Sequence, residues 1–168
     1  YGPDFTLANL LALMNKLEHK FEYEMTGHSG SGPRTSLATF GQPPTTPAEL
    51  EAMARKMRQH AQGCSSGDST LDAVSLAVEE VAKCDADDYF VFVLSDANLG
   101  RYDVQPEELG ARLRSDERVN GYAIFVAEPG AAEWMKTELP FGHGFVCLEM
   151  DSLPSTFKDI FAHAAMQN

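Results

Sequence analysis

The run Tyr89-Phe90-Val91-Phe92-Val93-Leu94 limits what this chain can become more than any other stretch. Six apolar residues in a row, with no polar alternation, suit a strand covered on both faces, as in a parallel sheet with helices on each side. The run stops at Ser95-Asp96-Ala97-Asn98. Ligands of open α/β sheets bind outside the carboxyl ends of the strands, so a carboxylate at Asp96 is placed to reach an ion. The same residues also suit a plain turn, because Ser, Asp and Asn bond readily to nearby backbone.

The flanking segments extend that pattern. Phe5, Leu7, Leu10, Leu11, Met14 and Leu17 form a helical stripe. Lys20–Met25 alternates as a strand with Phe21, Tyr23 and Met25 on one side. Gly27–Pro33 reads as a turn, and Thr35–Phe40 as the returning strand of an antiparallel hairpin. Thr46, Pro47 and Glu49 form a capping-box start for a helix running to about Gln62, with Leu50, Met53 and Met57 buried. A polar loop, Gly63–Ser69, precedes a helix over Thr70–Lys83 with Leu71, Val74, Ala77, Val78 and Val81 inward.

After the central strand, Pro106 opens a helix to about Ser115 that buries Leu109 and Leu113. Gly121–Ala127 is a further apolar strand, Trp134 and Met135 sit on a short helix, and Phe145–Met150 is a late strand. A last helix from about Pro154 repeats Phe157, Ile160, Phe161 and Ala164. Helix and strand alternate through the later two-thirds. The class is therefore α/β, a mostly parallel sheet with helices on both faces and the antiparallel hairpin at its edge. At 168 residues, 1–168 reads as a single domain.

Composition narrows the function. A formal charge of −12 repels nucleic-acid backbones and anionic membranes, so a protein partner or a divalent cation is expected instead. No stretch is apolar enough to span a bilayer. Three widely spaced cysteines, Cys64, Cys84 and Cys147, make no C-x-x-C pair and fit a reducing compartment.

Catalytic motifs are incomplete. There is no P-loop and no G-x-G-x-x-G fingerprint. Gly27-His28-Ser29-Gly30-Ser31 nearly matches a nucleophile elbow, but Ser31 stands where its last Gly belongs, and a strand follows where the elbow needs a helix. A Ser29 hydrolase or a phosphoryl-transfer enzyme using Asp96 is thus a weak alternative. His28 and Ser29 read instead as partner-facing residues of the hairpin turn.

Two polar clusters are expected at one rim of the sheet: Ser65–Thr70 before a helix, and Ser95-Asp96 after a strand. Their hydroxyl and carboxylate oxygens suit a hard cation such as Mg²⁺. The first cluster is equally served by a capping box of Ser69 with Asp72.

Taken in order, these elements resemble a von Willebrand factor A domain. Val93-Leu94-Ser95-Asp96 resembles the family's fourth-strand element, which implies a metal-site role for Asp96. Gly67-Asp68-Ser69-Thr70-Leu71 resembles its threonine element, which implies Thr70, or Asp68 in a shifted register. Gly27-His28-Ser29-Gly30, Tyr89–Leu99, Arg101-Tyr102, Val119–Phe125 and Ile160-Phe161 extend the likeness over roughly residues 5–166. They point to a branch in which the domain sits at the carboxyl end of a large mitochondrial AAA ATPase.

The chain departs from that pattern in one respect. No D-x-S-x-S occurs in it, and the first central strand that carries this loop in the family is absent, so the domain reads as incomplete at its amino end. The resemblance implies a non-catalytic protein-interaction domain of a mitochondrial matrix assembly, with a partial metal-ion-dependent adhesion site that Mg²⁺ does not fill in this chain alone. The alternative is a structural accessory subunit with no working metal site.

Overall fold

The structure, a computed structural model, describes residues 21–63, 69–95, 103–126, 130, 137–139 and 142–165. The helix expected over Phe5–Leu17, the one carrying Trp134 and Met135, and both Asp68 and Asp96 lie outside these residues. The chain divides into two compact units at Ser69/Thr70.

The first unit holds an antiparallel hairpin, β1 (Met25–Ser29) and β2 (Gly32–Ala38), followed by helix α1 (Pro47–Gly63). The hairpin differs from the sequence expectation. Residues 21–24 are irregular, and the strands run into the supposed turn, so that Ser29 pairs with Gly32 and only Gly30 and Ser31 reverse the chain. The physical reason is that two residues suffice for a tight hairpin, and here the Ser29 Oγ accepts from the Ser31 N–H at 3.2 Å.

The start of α1 is the capping box that its sequence announces. Thr46 N–H donates to Glu49 Oε2 at 2.9 Å, and Glu49 N–H donates back to Thr46 Oγ1 at 3.3 Å. Thr45 N–H adds a third bond to the same carboxylate at 2.9 Å. These donors hold the Glu49 carboxyl far below its ordinary range, at about 2. Met53 and Ala38 form a small core between α1 and the hairpin, with Tyr23, Met25, Leu50 and Met57 half-buried around them.

The second unit is built on three parallel strands in the order β3 (Tyr89–Ser95), β4 (Val119–Val126), β5 (Gly144–Cys147). Helices α2 (Thr70–Val81), α3 (Pro106–Leu113) and α4 (Leu153–Ala165) complete it. β4 begins two residues earlier than expected, because the turn before it is closed by Asp116. Its carboxylate takes bonds from Arg118 N–H, Nε and Nη2, and its carbonyl accepts from Val119 N–H at 3.1 Å. β5 ends early, at Cys147, because the Glu149 carbonyl gathers Ser152 N–H, Ser152 Oγ and Cys147 Sγ and turns the chain into a short 3-10 segment, Met150–Ser152.

Alternation along the strands sorts the two faces. Val91, Val93, Val119, Ala123 and Phe125 pack with Val74 and Val78 of α2 and Leu109 and Leu113 of α3. On the opposite face, Phe92 meets Phe157 and Phe161 of α4 edge-to-face at 4.7 and 5.6 Å, and Tyr122 stacks on Phe92 at 5.8 Å. The apolar run therefore has helices over both faces from Phe90 to Val93, whereas its last residue, Leu94, is 37% exposed and departs from the expectation of a strand buried throughout. Gly121 makes the α3 side possible: a Cβ there would lie 2.3 Å from the Leu113 carbonyl oxygen. No helix among the described residues is long and apolar enough to cross a membrane.

Candidate functional site

The carboxyl rim of the parallel sheet is where an α/β protein presents its ligand groups. α2 packs on β3 through Val74 and Val78 against Val91 and Val93, and only residues 82–88 separate the two elements. A twelve-residue helix (about 18 Å) and a seven-residue strand (about 23 Å) joined so briefly must run antiparallel to each other. The first residue of α2, Thr70, therefore lies at the same end as the last residue of β3, Ser95. Thr70 is only 1% exposed although it is polar and begins a helix.

Those two residues stand at the expected rim. The carboxylates assigned to the same place, Asp96 and Asp68, lie outside the described residues. Among the described residues no group of three or more His, Cys, Asp or Glu side chains is arranged to hold a metal ion. The donor type of Thr70 fits a hard cation, since a hydroxyl oxygen is an acceptable Mg²⁺ ligand, but charged oxygens must complete such a site. No hydrogen bond joins Ser69 to Asp72 among the described residues, so the capping-box alternative for this segment is not formed there.

His28 and Ser29 occupy the end of β1 and are half-buried. The His28 carbonyl accepts a bond from His60 Nε2 of α1 at 3.2 Å. The His60 ring lies directly over Gly27, where an added Cβ would sit 2.6 Å from its Cδ2 and Nε2. The end of the hairpin is thus pinned to a helix. His60 is half-buried, and its place is legible in the sequence, where it continues the stripe of Leu50, Met53 and Met57 at helical spacing.

Comparison with known proteins adds the decisive observation. The chain is 36% identical over 153 residues to the mouse (Mus musculus) von Willebrand factor A domain-containing protein 8. The chain is a relative of that protein. The match covers 90% of this chain and 8% of the mouse protein, so the chain spans under a tenth of its relative's length. No family model matches the chain, and no solved structure does. The α/β architecture, with a parallel sheet flanked by helices and an antiparallel hairpin, is consistent with a von Willebrand factor A-like fold.

Proposed function

We propose that this chain is a non-catalytic protein-interaction module of the von Willebrand factor A type, working within an AAA ATPase-linked assembly of the mitochondrial matrix. The observation that carries this reading is the relationship along nine-tenths of the chain to a von Willebrand factor A domain-containing protein. The sheet supports it, since the start of α2 and the end of β3 share one rim. In this reading Thr70, Asp96 and Asp68 hold Mg²⁺ together with a D-x-S-x-S loop that these 168 residues do not contain. The bound cation would offer a coordination position to a carboxylate of the partner. The partner is a protein and not a nucleic acid, because the surface carries a formal charge of −12.

A second reading is favoured by the lack of D-x-S-x-S: a structural accessory module that engages its partner without metal. Thermal unfolding of a longer polypeptide that includes both this chain and a D-x-S-x-S loop separates the two. A working site at a Mg²⁺ or Mn²⁺ concentration of 100 Kd adds about 2.7 kcal/mol by mass action. Asp96→Ala should abolish that increment, because a methyl group cannot replace a charged oxygen ligand. A metal response unchanged by Asp96→Ala removes the adhesion-site reading. No response at all in the parent polypeptide selects the metal-free module.

A further inference from the structure

We propose that a cavity at the amino ends of β4 and β5 binds a small organic oxyanion. The site lies at the opposite end of the parallel sheet from Thr70 and Ser95, and it stands independently of the interaction reading. The cavity encloses about 310 Å³, enough for a small ligand. Arg114, Asn120, Tyr122, His143 and His163 line it, with Asp116 and Glu117 on the same wall.

Tyr122 is the observation that points to a ligand. It is 3% exposed, and its ring is held by Phe92, His143 and Phe145 at 5.8–5.9 Å. Its hydroxyl is not sealed off in the core and stays open to the cavity that Tyr122 lines. A group entering this cavity would accept the Tyr122 O–H in place of water. Burial pushes the phenol pKa up, which keeps the O–H intact as a donor.

The neighbouring groups are also donors, and they are fixed in place. The Asn120 amide is anchored by Nδ2 donating to the Tyr89 carbonyl at 3.2 Å, which leaves its second N–H. His143 Nδ1 donates to the Gly121 carbonyl at 2.7 Å, which sets the ring orientation. The Arg114 Nε bonds the Gly110 carbonyl at 3.2 Å, leaving the terminal N–H groups of a permanently charged guanidinium. Arg-based donor sets of this kind recognise carboxylates and phosphoryl groups.

The acidic residues do not turn the site toward cations. The Asp116 carboxylate is matched by Arg118, which contacts it through Nε at 3.0 Å and Nη2 at 2.7 Å. Glu117 is exposed. Binding must come from these local donors, since a chain of charge −12 has no general attraction for anions.

The test is a titration of the ¹⁵N-labelled chain with phenyl phosphate and, separately, benzoate, at constant ionic strength set with sodium chloride. The two ligands share a ring and differ only in the anion, so their relative affinity identifies phosphoryl or carboxylate chemistry. Saturable shifts are expected at Gly121, His143 and the Asn120 side-chain amide. Arg114→Gln, at an exposed position that does not threaten folding, should weaken binding about tenfold, the loss of one charge-assisted hydrogen bond. Tyr122→Phe should weaken it severalfold while keeping the ring packing, and Glu117→Gln should strengthen it. The proposal is overturned if neither anion gives saturable shifts at millimolar concentration. It is equally overturned if Arg114→Gln leaves the affinity unchanged, or if Mg²⁺ shifts these resonances and the anions do not.

Discussion

Gly121→Ala tests how closely α3 is seated on β4. The added methyl would lie 2.3 Å from the Leu113 carbonyl oxygen and 2.9 Å from the Leu113 carbonyl carbon and Cβ. Two of these obstacles are backbone atoms, so no rotamer change relieves them. Leu113 is fully buried, as are Leu109 before it and Ala123 and Phe125 on the strand. The helix end must therefore move away from a packed core. Overpacking of this kind costs about 1–3 kcal/mol, and the backbone contact places this substitution at the upper end. For a chain of this size, 3 kcal/mol lowers Tm by about 6–12 °C. Gly130, where an added Cβ meets nothing within 4 Å, is the control, and its Ala variant should change stability by under about 0.5 kcal/mol. Thermal and urea unfolding of the two variants beside the parent provide the measurement. A Gly121→Ala protein with the parent's Tm and urea midpoint would show that α3 does not approach β4 as described.

Three further experiments probe other parts of the packing. Glu49 is titrated below its ordinary carboxyl pKa of 4.5, to about 2, so its contribution to the α1 start is complete above about pH 4.5 and is lost as pH falls toward 2; Glu49→Ala should flatten the dependence of helical circular dichroism on pH in that window. Gly27→Ala and His60→Ala should each cost stability, but less in combination than in sum, because the added methyl collides only with the ring that the second change removes; strict additivity in a double-mutant cycle would separate the two residues. Phe157→Ala removes a buried ring that meets both Phe92 and Phe161, and should cost about 3–5 kcal/mol in urea unfolding, whereas a loss below 1 kcal/mol would place α4 elsewhere.

Much of the architecture was legible because it rests on local chemistry. Unbroken apolar runs at Tyr89–Leu94 and Gly121–Val126 became the strands β3 and β4, covered on both faces except at the exposed Leu94, and Thr46 with Glu49 became a formed capping box. The errors fall where contacts distant in sequence decide. The hairpin looked like an alternating strand over Lys20–Met25 followed by a glycine-rich turn, but Gly27 serves as a strand residue that lets His60 approach. The candidate rim was readable as oxygen-rich chemistry beside a strand end, and the structure brings Thr70 and Ser95 to that rim because α2 packs on β3. The cavity beside Tyr122 left no sequence signature. Its lining comes from residues as far apart as Arg114 and His163, and only the packing of α4 across the sheet assembles them.

The strand order β3-β4-β5 has a kinetic meaning. Each strand pairs with the one that follows it in the chain, separated by a single crossover, so no ladder waits for a partner made much later. Short-range pairing lowers the entropy lost in closing loops before contacts form, and it favours fast folding even in a parallel sheet. On a ribosome, α2 and β3 would emerge before α3 and β4, which would cover one of their apolar surfaces directly afterwards. The opposite surface, carrying Phe90 and Phe92, stays open until α4 follows β5. That interval, rather than the finished fold, is when this chain is most exposed to aggregation.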